Sequence, residues 1–292
     1  MLKYDSIEKL VLEAEERGIT ISRLVLEDQA QAMEITPEKL YEEMKERFVI
    51  MKESVQEGLK KDQRSKSGLT GGEGYHMMRY AQEKGGLSGS LMTKAIARAL
   101  AVAGCNTSMG RIVAAPTAGS CGILPGCLVS LAEDRGFPEE DVILSMFTAG
   151  AFGMVIAGRA SISGAQGGCQ AECGSASAMA AAAVTEVMGG TPSQCADACA
   201  IAIANQLGLV CDPVAGLVEI PCIKRNVSGL MIAFSSADLA LAGIRSKIPA
   251  DECLDAMHQV GESLPSALKE TAKGGLASTP TGIRLQKEVF GK

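Results

Sequence analysis

Residues 170–188 read QAECGSASAMAAAAVTEVM, and this run decides the class of fold. It offers almost nothing but Ala, Gly, Ser and Met for packing. Sheets draw on Val, Ile, Tyr and Phe, whereas cores built from small residues favour helices that approach one another closely. The same Gly/Ala-rich composition extends from about residue 75 almost to the C-terminus, with 33 Gly in the chain, no Trp and only 3% aromatic residues. Strand alternation is nearly absent. Helical runs are predicted at 75–84, 88–103, 123–134, 138–158, 170–188, 192–207, 228–245 and 250–270. Thr191-Pro192-Ser193-Gln194 fits a capping box with Pro at the first helical position. Pro138 and Pro249 stand near two other starts, each followed by acidic residues that suit a helix N-terminus. The expected class is mainly all-α, with irregular loops between closely packed helices.

The N-terminal part differs. Residues 1–64 are charge-rich, and Thr36-Pro37 opens a long helix whose apolar stripe is Leu40, Met44, Phe48, Met51, Val55 and Leu59. This stripe reads as scaffold, packed on the body or on a partner. The polar stretch SKSGLTGGEG (65–74) marks the change in composition. Residues 1–64 are therefore expected to form a helical extension, and 65–292 a catalytic domain in one compact unit with it. No internal repeat and no later linker divides the chain.

With 292 residues, 47% of them hydrophobic, the chain can bury a substantial core. A net charge of −6, without a basic run or aromatic platform, argues against a nucleic-acid partner. Two uncharged stretches, 112–132 and 142–158, are long enough to raise the question of a membrane span. The first contains Pro116 and Pro125 and the second is short, so a buried loop and a buried helix are expected. The start, MLKYDSIEKL, lacks the apolar stretch of a secretory signal, and a cytoplasmic protein is expected.

Ten cysteines in such a chain do not suggest a disulfide framework, and most read as small buried hydrophobes. Three stand apart in GAQGGCQAE (164–172), VCDPVAG (210–216) and IPCIKRN (220–226). There Cys169, Cys211 and Cys222 lie beside Gly or Pro where the backbone turns, leaving N–H groups free to face a thiolate. Their separations, 42 and 11 residues, are unlike the tight pairs of zinc knuckles and bacterial ferredoxins. Spacing alone leaves both structural cysteines and ligands of a cluster with one open iron in play. Cys173, Cys195 and Cys199 sit at one-turn separations that also suit metal, but only His76 and His258 could assist them, and packing is the expected role.

The words GGCQAE, CDPVAG and PCIKRN, in this order and at these distances, resemble the iron–sulfur-dependent L-serine dehydratases. So do NTSMGRIVAAPTAGSCGILPG (106–126) and KGGLASTPTG (273–282). The similarity runs from about residue 65 to the C-terminus and more weakly through the N-terminal helices. It implies a catalytic alpha subunit of the two-subunit type, acting on L-serine in amino-acid catabolism and gluconeogenesis. It further implies a 4Fe–4S cluster ligated by Cys169, Cys211 and Cys222. The polar turn with Thr117, Gly119 and Ser120, together with Asn106 and Ser108, becomes a candidate substrate pocket. Arg225 is a candidate cation for the substrate carboxylate or for cluster charge. Ser67 and Thr70 lie in a loop that reads equally as a lid and as a solvent loop.

The proton acceptor is unassigned. His76 follows that loop and is a weak candidate, since a lone His is more often structural. The family offers a His in a Ser-rich loop of another domain or of a beta subunit, and this chain has no Ser-Ser-His segment. A partner beta subunit is therefore expected. A pyridoxal-phosphate dehydratase with its phosphate at 67–74 lacks the strands it needs. An L-cysteine desulfidase of the same superfamily and a non-catalytic metal-binding scaffold are the remaining alternatives.

Overall fold

The computed structural model describes residues 3–291. Among them the chain is helical throughout, with no strand and one isolated parallel bridge between Cys211 and Lys269. The all-α expectation is borne out. At the centre lies α9 (Ser175–Val187), buried along its whole length except for the half-buried Glu186. Ala180, Ala181, Ala182 and Ala183 are fully shielded, which only side chains this small permit on all faces of one helix. Around it pack α6 (Ile123–Asp134), α7 (Glu139–Arg159), α10 (Pro192–Ala204) and α11 (Cys222–Leu241).

The N-terminal helices α1 (Ile7–Arg17), α2 (Ile21–Ala32) and α3 (Pro37–Gly58) lie on this body, α2 and α3 against α7 and α1 against α10. Ile7, Leu10, Leu24, Phe48 and Met51 join the same continuous core as Ile123 and Phe152. The α3 stripe thus packs on the body. Gly58 lets α3 approach α5 (Ser90–Thr107) at Ala101, where a Cβ would fall 1.8 Å from the Ala101 carbonyl oxygen. Caps occur where composition placed them: Thr36 accepts from Lys39 N–H, and Thr191 and Gln194 form the full reciprocal box. By length and composition α7 is apolar enough to cross a membrane, but most of it is buried inside the protein as a core helix.

The largest differences from the sequence reading are at two boundaries. Helix α11 begins at Cys222, six residues before the predicted start: Ile223 extends the apolar stripe of Val227 and Leu230 back into a first turn that Lys224, Arg225 and Asn226 make polar. Helix α12 (Ala250–Ser263) stops before 270, since Leu264 precedes Pro265 and that position disfavours helical backbone. The remaining helices are α4 (Glu73–Lys84), the short α8 (Gly164–Gly167) and α13 (Pro280–Phe290).

Candidate cluster and substrate site

Cys169 follows α8 and opens a π-helical turn, Gln170–Gly174, that leads into α9. Such turns interrupt the regular ladder and are frequent at functional sites. Buried Gln170 fixes this one: its N–H donates to the Leu209 carbonyl at 2.9 Å, its side-chain amide donates to the Met257 carbonyl at 2.9 Å, and its oxygen accepts from Gly208 N–H at 2.9 Å. The loop of Cys169 is thereby bound to the chain entering Cys211. Cys211 is held in turn by its N–H donating to Leu268 at 2.9 Å and its carbonyl accepting from Glu270 N–H at 2.9 Å. Cys222 is the first residue of α11. Two of the three thiols therefore sit at the starts of helical turns, where unpaired N–H groups favour negative charge.

All three thiols are buried and close enough to sense one another. Burial pushes the Cys211 thiol up, and charge on Cys169, Glu172 and Cys222 adds to the rise. Burial and Cys169 push Cys222 up to about 12, while Arg225 pulls it back. Cys169 is held below the usual thiol range by its hydrogen bond with Cys173, whose sulfur is 3.4 Å away, with Arg225 contributing; the Cys173 thiol is raised correspondingly. Arg225 donates to Asp212 Oδ1 at 2.7 Å and to the Val210 carbonyl at 2.8 Å. One guanidinium thus serves several thiols and Asp212. Three thiolates here call for further positive charge.

Among the described residues no three thiol, imidazole or carboxylate groups close on the spacing of a single metal ion. No imidazole joins the three sulfurs: His76 is exposed on α4, edge-on to Tyr75 at 5.6 Å, and His258 lies on α12 beside Glu262. Cys195, Cys199 and Cys127 are fully buried, and burial raises their thiols.

The candidate substrate residues divide into three groups. Thr117 and Ser120 pair through their hydroxyls at 3.1 Å, and Asn106 donates to the Ala118 carbonyl at 3.2 Å, which fastens α5 to this turn. Gly119 faces Glu172, whose oxygens would stand 3.4 and 3.6 Å from a Cβ placed there. Thr117, Gly119 and Ser120 are thus brought to the cysteine loops. In the second group, Thr70 is buried and donates to Glu219 Oε2 at 2.7 Å, just ahead of Cys222, while Ser67 accepts from Leu69 N–H at 3.0 Å within its own turn. Ser108 stands apart. Its hydroxyl donates back to the Cys105 carbonyl at 2.9 Å, on the wall of a cleft shared with Glu53, Lys60 and Arg111.

Four residues that hold the site together had been given no role. Asn226 accepts from Gly122 N–H at 2.8 Å and donates to the Gly119 carbonyl at 2.8 Å and the Cys222 carbonyl at 3.0 Å. Asp212 accepts from Arg225 and, at 2.7 Å, from Leu276 N–H, so KGGLASTPTG is anchored to CDPVAG. Gln170 and Glu172 belong to the word QAE. All four lie in or beside the motif words, and that adjacency was the only available signal. Glu172 is half-buried, and burial raises its carboxyl; the Thr117 side chain offsets part of the rise and Glu270 adds to it.

Residues 16–277 match the family model described as Serine dehydratase alpha chain. The chain is 48% identical over 288 residues to a Bacillus subtilis (strain 168) protein named Probable L-serine dehydratase, alpha chain, covering 99% of this chain and 96% of the relative. It is 43% identical over 275 residues to the L-serine dehydratase, alpha chain of Peptoniphilus asaccharolyticus, covering 94% of each. Against the L-serine dehydratase of Streptomyces coelicolor it is 37% identical over 282 residues, which are 95% of this chain and 62% of the relative.

Proposed function

The chain belongs to the serine dehydratase alpha chain family, and on that premise we propose that it is an L-serine dehydratase, releasing pyruvate and ammonia from L-serine by β-elimination. The observation that carries this function is the meeting of Cys169, Cys211 and Cys222 beside the Thr117–Ser120 turn in a chain of this family. A donor set of three sulfurs without histidine suits an iron–sulfur cluster. When bound, a 4Fe–4S cluster with one iron free of protein sulfur supplies a Lewis acid that makes the serine hydroxyl a better leaving group.

The chain's own residues do the rest. Arg225 and the helical starts at Cys169 and Cys222 compensate gathered negative charge. Thr117, Gly119 and Ser120 line the approach to the thiols. Asn226 keeps that turn in register with Cys222. Loss of the Cα proton and the hydroxyl leaves an enamine, whose imine tautomer hydrolyses to pyruvate and ammonia. We assign the proton acceptor to a beta subunit. In support, two of the relatives are named alpha chains, and this chain spans only 62% of the Streptomyces coelicolor L-serine dehydratase. The catalytic unit is assigned to 65–292 with 1–64 as a helical extension, and a reducing cytoplasm suits three free thiols.

The test is anaerobic purification with a co-expressed beta subunit, followed by iron, acid-labile sulfide and pyruvate assays. Equal iron and sulfide with pyruvate formed from L-serine is the expected result. Zinc in place of iron, a lysine trapped by borohydride, or sulfide release from L-cysteine without pyruvate from L-serine would each replace this function with another.

A further inference from the structure

Glu172 stands between the Thr117–Ser120 turn and the cysteine loops in a way that no other acidic side chain named above does. Asp212 is taken by Arg225 and Leu276 N–H, and Glu219 by the Thr70 hydroxyl. Against Glu172, by contrast, no lysine or arginine stands among the described residues. Its polar neighbour is Thr117, and the nearest charge to act on it is a second carboxylate, Glu270. A half-buried carboxylate surrounded in this way is short of a cation.

Two glycines keep the space before it clear. A Cβ at Gly164 would lie 2.8 Å from Glu172 Oε2 and 3.0 Å from Cys211 Sγ, so carboxylate and thiol converge on one point. A Cβ at Gly119 would lie 3.4 Å from Oε1 and 3.6 Å from Oε2. Side chains at either place would fill the approach to the carboxylate. The opening is therefore lined by a carboxylate, a hydroxyl turn and a thiol, with its missing charge positive.

We propose that Glu172 receives the α-ammonium group of the amino-acid substrate at the opening between Gly119, Gly164 and Cys211. This rests on the dehydratase function above and deepens it by naming the group that tells an amino acid from a hydroxy acid of the same length. An ammonium supplies the absent cation and up to three donors, for the two carboxylate oxygens and the Thr117 hydroxyl. A hydroxy acid without it leaves Glu172 uncompensated, and such unpaired buried groups are the strongest source of discrimination available to a site.

Glu172→Gln and Glu172→Asp should be prepared as cluster-loaded holoenzyme with the beta subunit. Three ligands separate the possibilities: L-serine by its KM, and L-alanine and 3-hydroxypropanoate by calorimetric Kd. L-alanine keeps the ammonium but has no leaving group, whereas 3-hydroxypropanoate keeps the hydroxyl and carboxylate and lacks the ammonium. In Glu172→Gln the L-serine KM and L-alanine Kd should rise about tenfold or more, as expected for a lost charged hydrogen bond. The Kd of 3-hydroxypropanoate should stay level or fall, because no charge is left uncompensated, with iron and sulfide content unchanged. Glu172→Asp, which keeps the charge but withdraws it, should fall between wild type and Gln for the two amino acids only. Parallel weakening of all three ligands, or no change in any, overturns the assignment of Glu172. Cluster-loaded wild type that makes no pyruvate from L-serine overturns the dehydratase function, and this assignment with it.

Discussion

Replacing Asn226 with alanine removes the side chain that ties the substrate turn to the first cluster helix. Asn226 is 1% exposed and makes three hydrogen bonds through its amide. The Cys222 carbonyl keeps its helical partner, the N–H four residues on. The Gly122 N–H and the Gly119 carbonyl do not recover partners, because the truncated side chain leaves a space walled by buried groups. Each orphaned group costs about 1–3 kcal/mol, so the loss should be about 2–6 kcal/mol. That is a large share of the ~5–15 kcal/mol by which domains are stable. Urea unfolding of the metal-free chain gives the stability change, and amide exchange at 119–122 gives its location. Asn205→Ala serves as the control, since Asn205 is exposed at the end of α10 and should shift stability by less than about 0.5 kcal/mol. A loss below about 1 kcal/mol for Asn226→Ala, with amide protection at 119–122 intact, would show that the turn holds its place without Asn226.

Three further predictions concern packing, charge and cluster binding. Gly58→Ala drives a Cβ to 1.8 Å from the Ala101 carbonyl oxygen and should cost about 3 kcal/mol in denaturant unfolding. Gly150→Ala in α7 meets nothing within 4 Å and should instead stabilise by about 0.5–1 kcal/mol; equal signs for the two would refute the packing at α3 and α5. At Asp134, burial raises the carboxyl, but hydrogen bonds from Lys94, at 2.8 Å, and Arg98 outweigh it and hold it below the usual range. A folded pKa below the unfolded one contributes stability above the unfolded value and loses it as pH falls through the folded one. Wild type should therefore lose stability relative to Asp134→Asn between about pH 5 and pH 2, and parallel melting curves over that range would exclude the contribution. After anaerobic reconstitution Cys211→Ser should hold far less iron and sulfide than wild type, whereas Cys195→Ser, buried in α10, should hold the wild-type amount. Equal iron in both variants would remove Cys211 from the ligand set.

Local patterns carried most of the helical architecture. The α3 stripe, the cap at Thr36 and the box at Thr191–Gln194 each depend on residues within about two turns of one another, so they are written in short windows of sequence. The start of α11 was not legible, because the run Lys224-Arg225-Asn226 beside Pro221 hides the single apolar residue, Ile223, that extends the stripe of Val227 and Leu230. Cys169, Cys211 and Cys222 were suspects by their Gly and Pro neighbours and became a candidate ligand set only through the motif words around them. Asn226, Asp212 and Glu172 were invisible as functional groups, because the first two reach partners 64–107 residues away in the chain and Glu172 acts across a gap between loops.

By itself the sequence determined that this protein is a bundle of closely packed helices, since a core of Ala, Gly and Met without strand alternation favours helices in close approach, and it narrowed the chemistry to three cysteines among ten. Only the tertiary structure decided what stands around them: Arg225 shared among thiols and Asp212, Asn226 joining Gly119 to Cys222, and Glu172 facing the opening without a cation. The physical reason is one of range. Helix formation is settled by neighbours three or four residues apart, whereas the charge balance of a buried site is a sum over groups that meet only once the chain has folded.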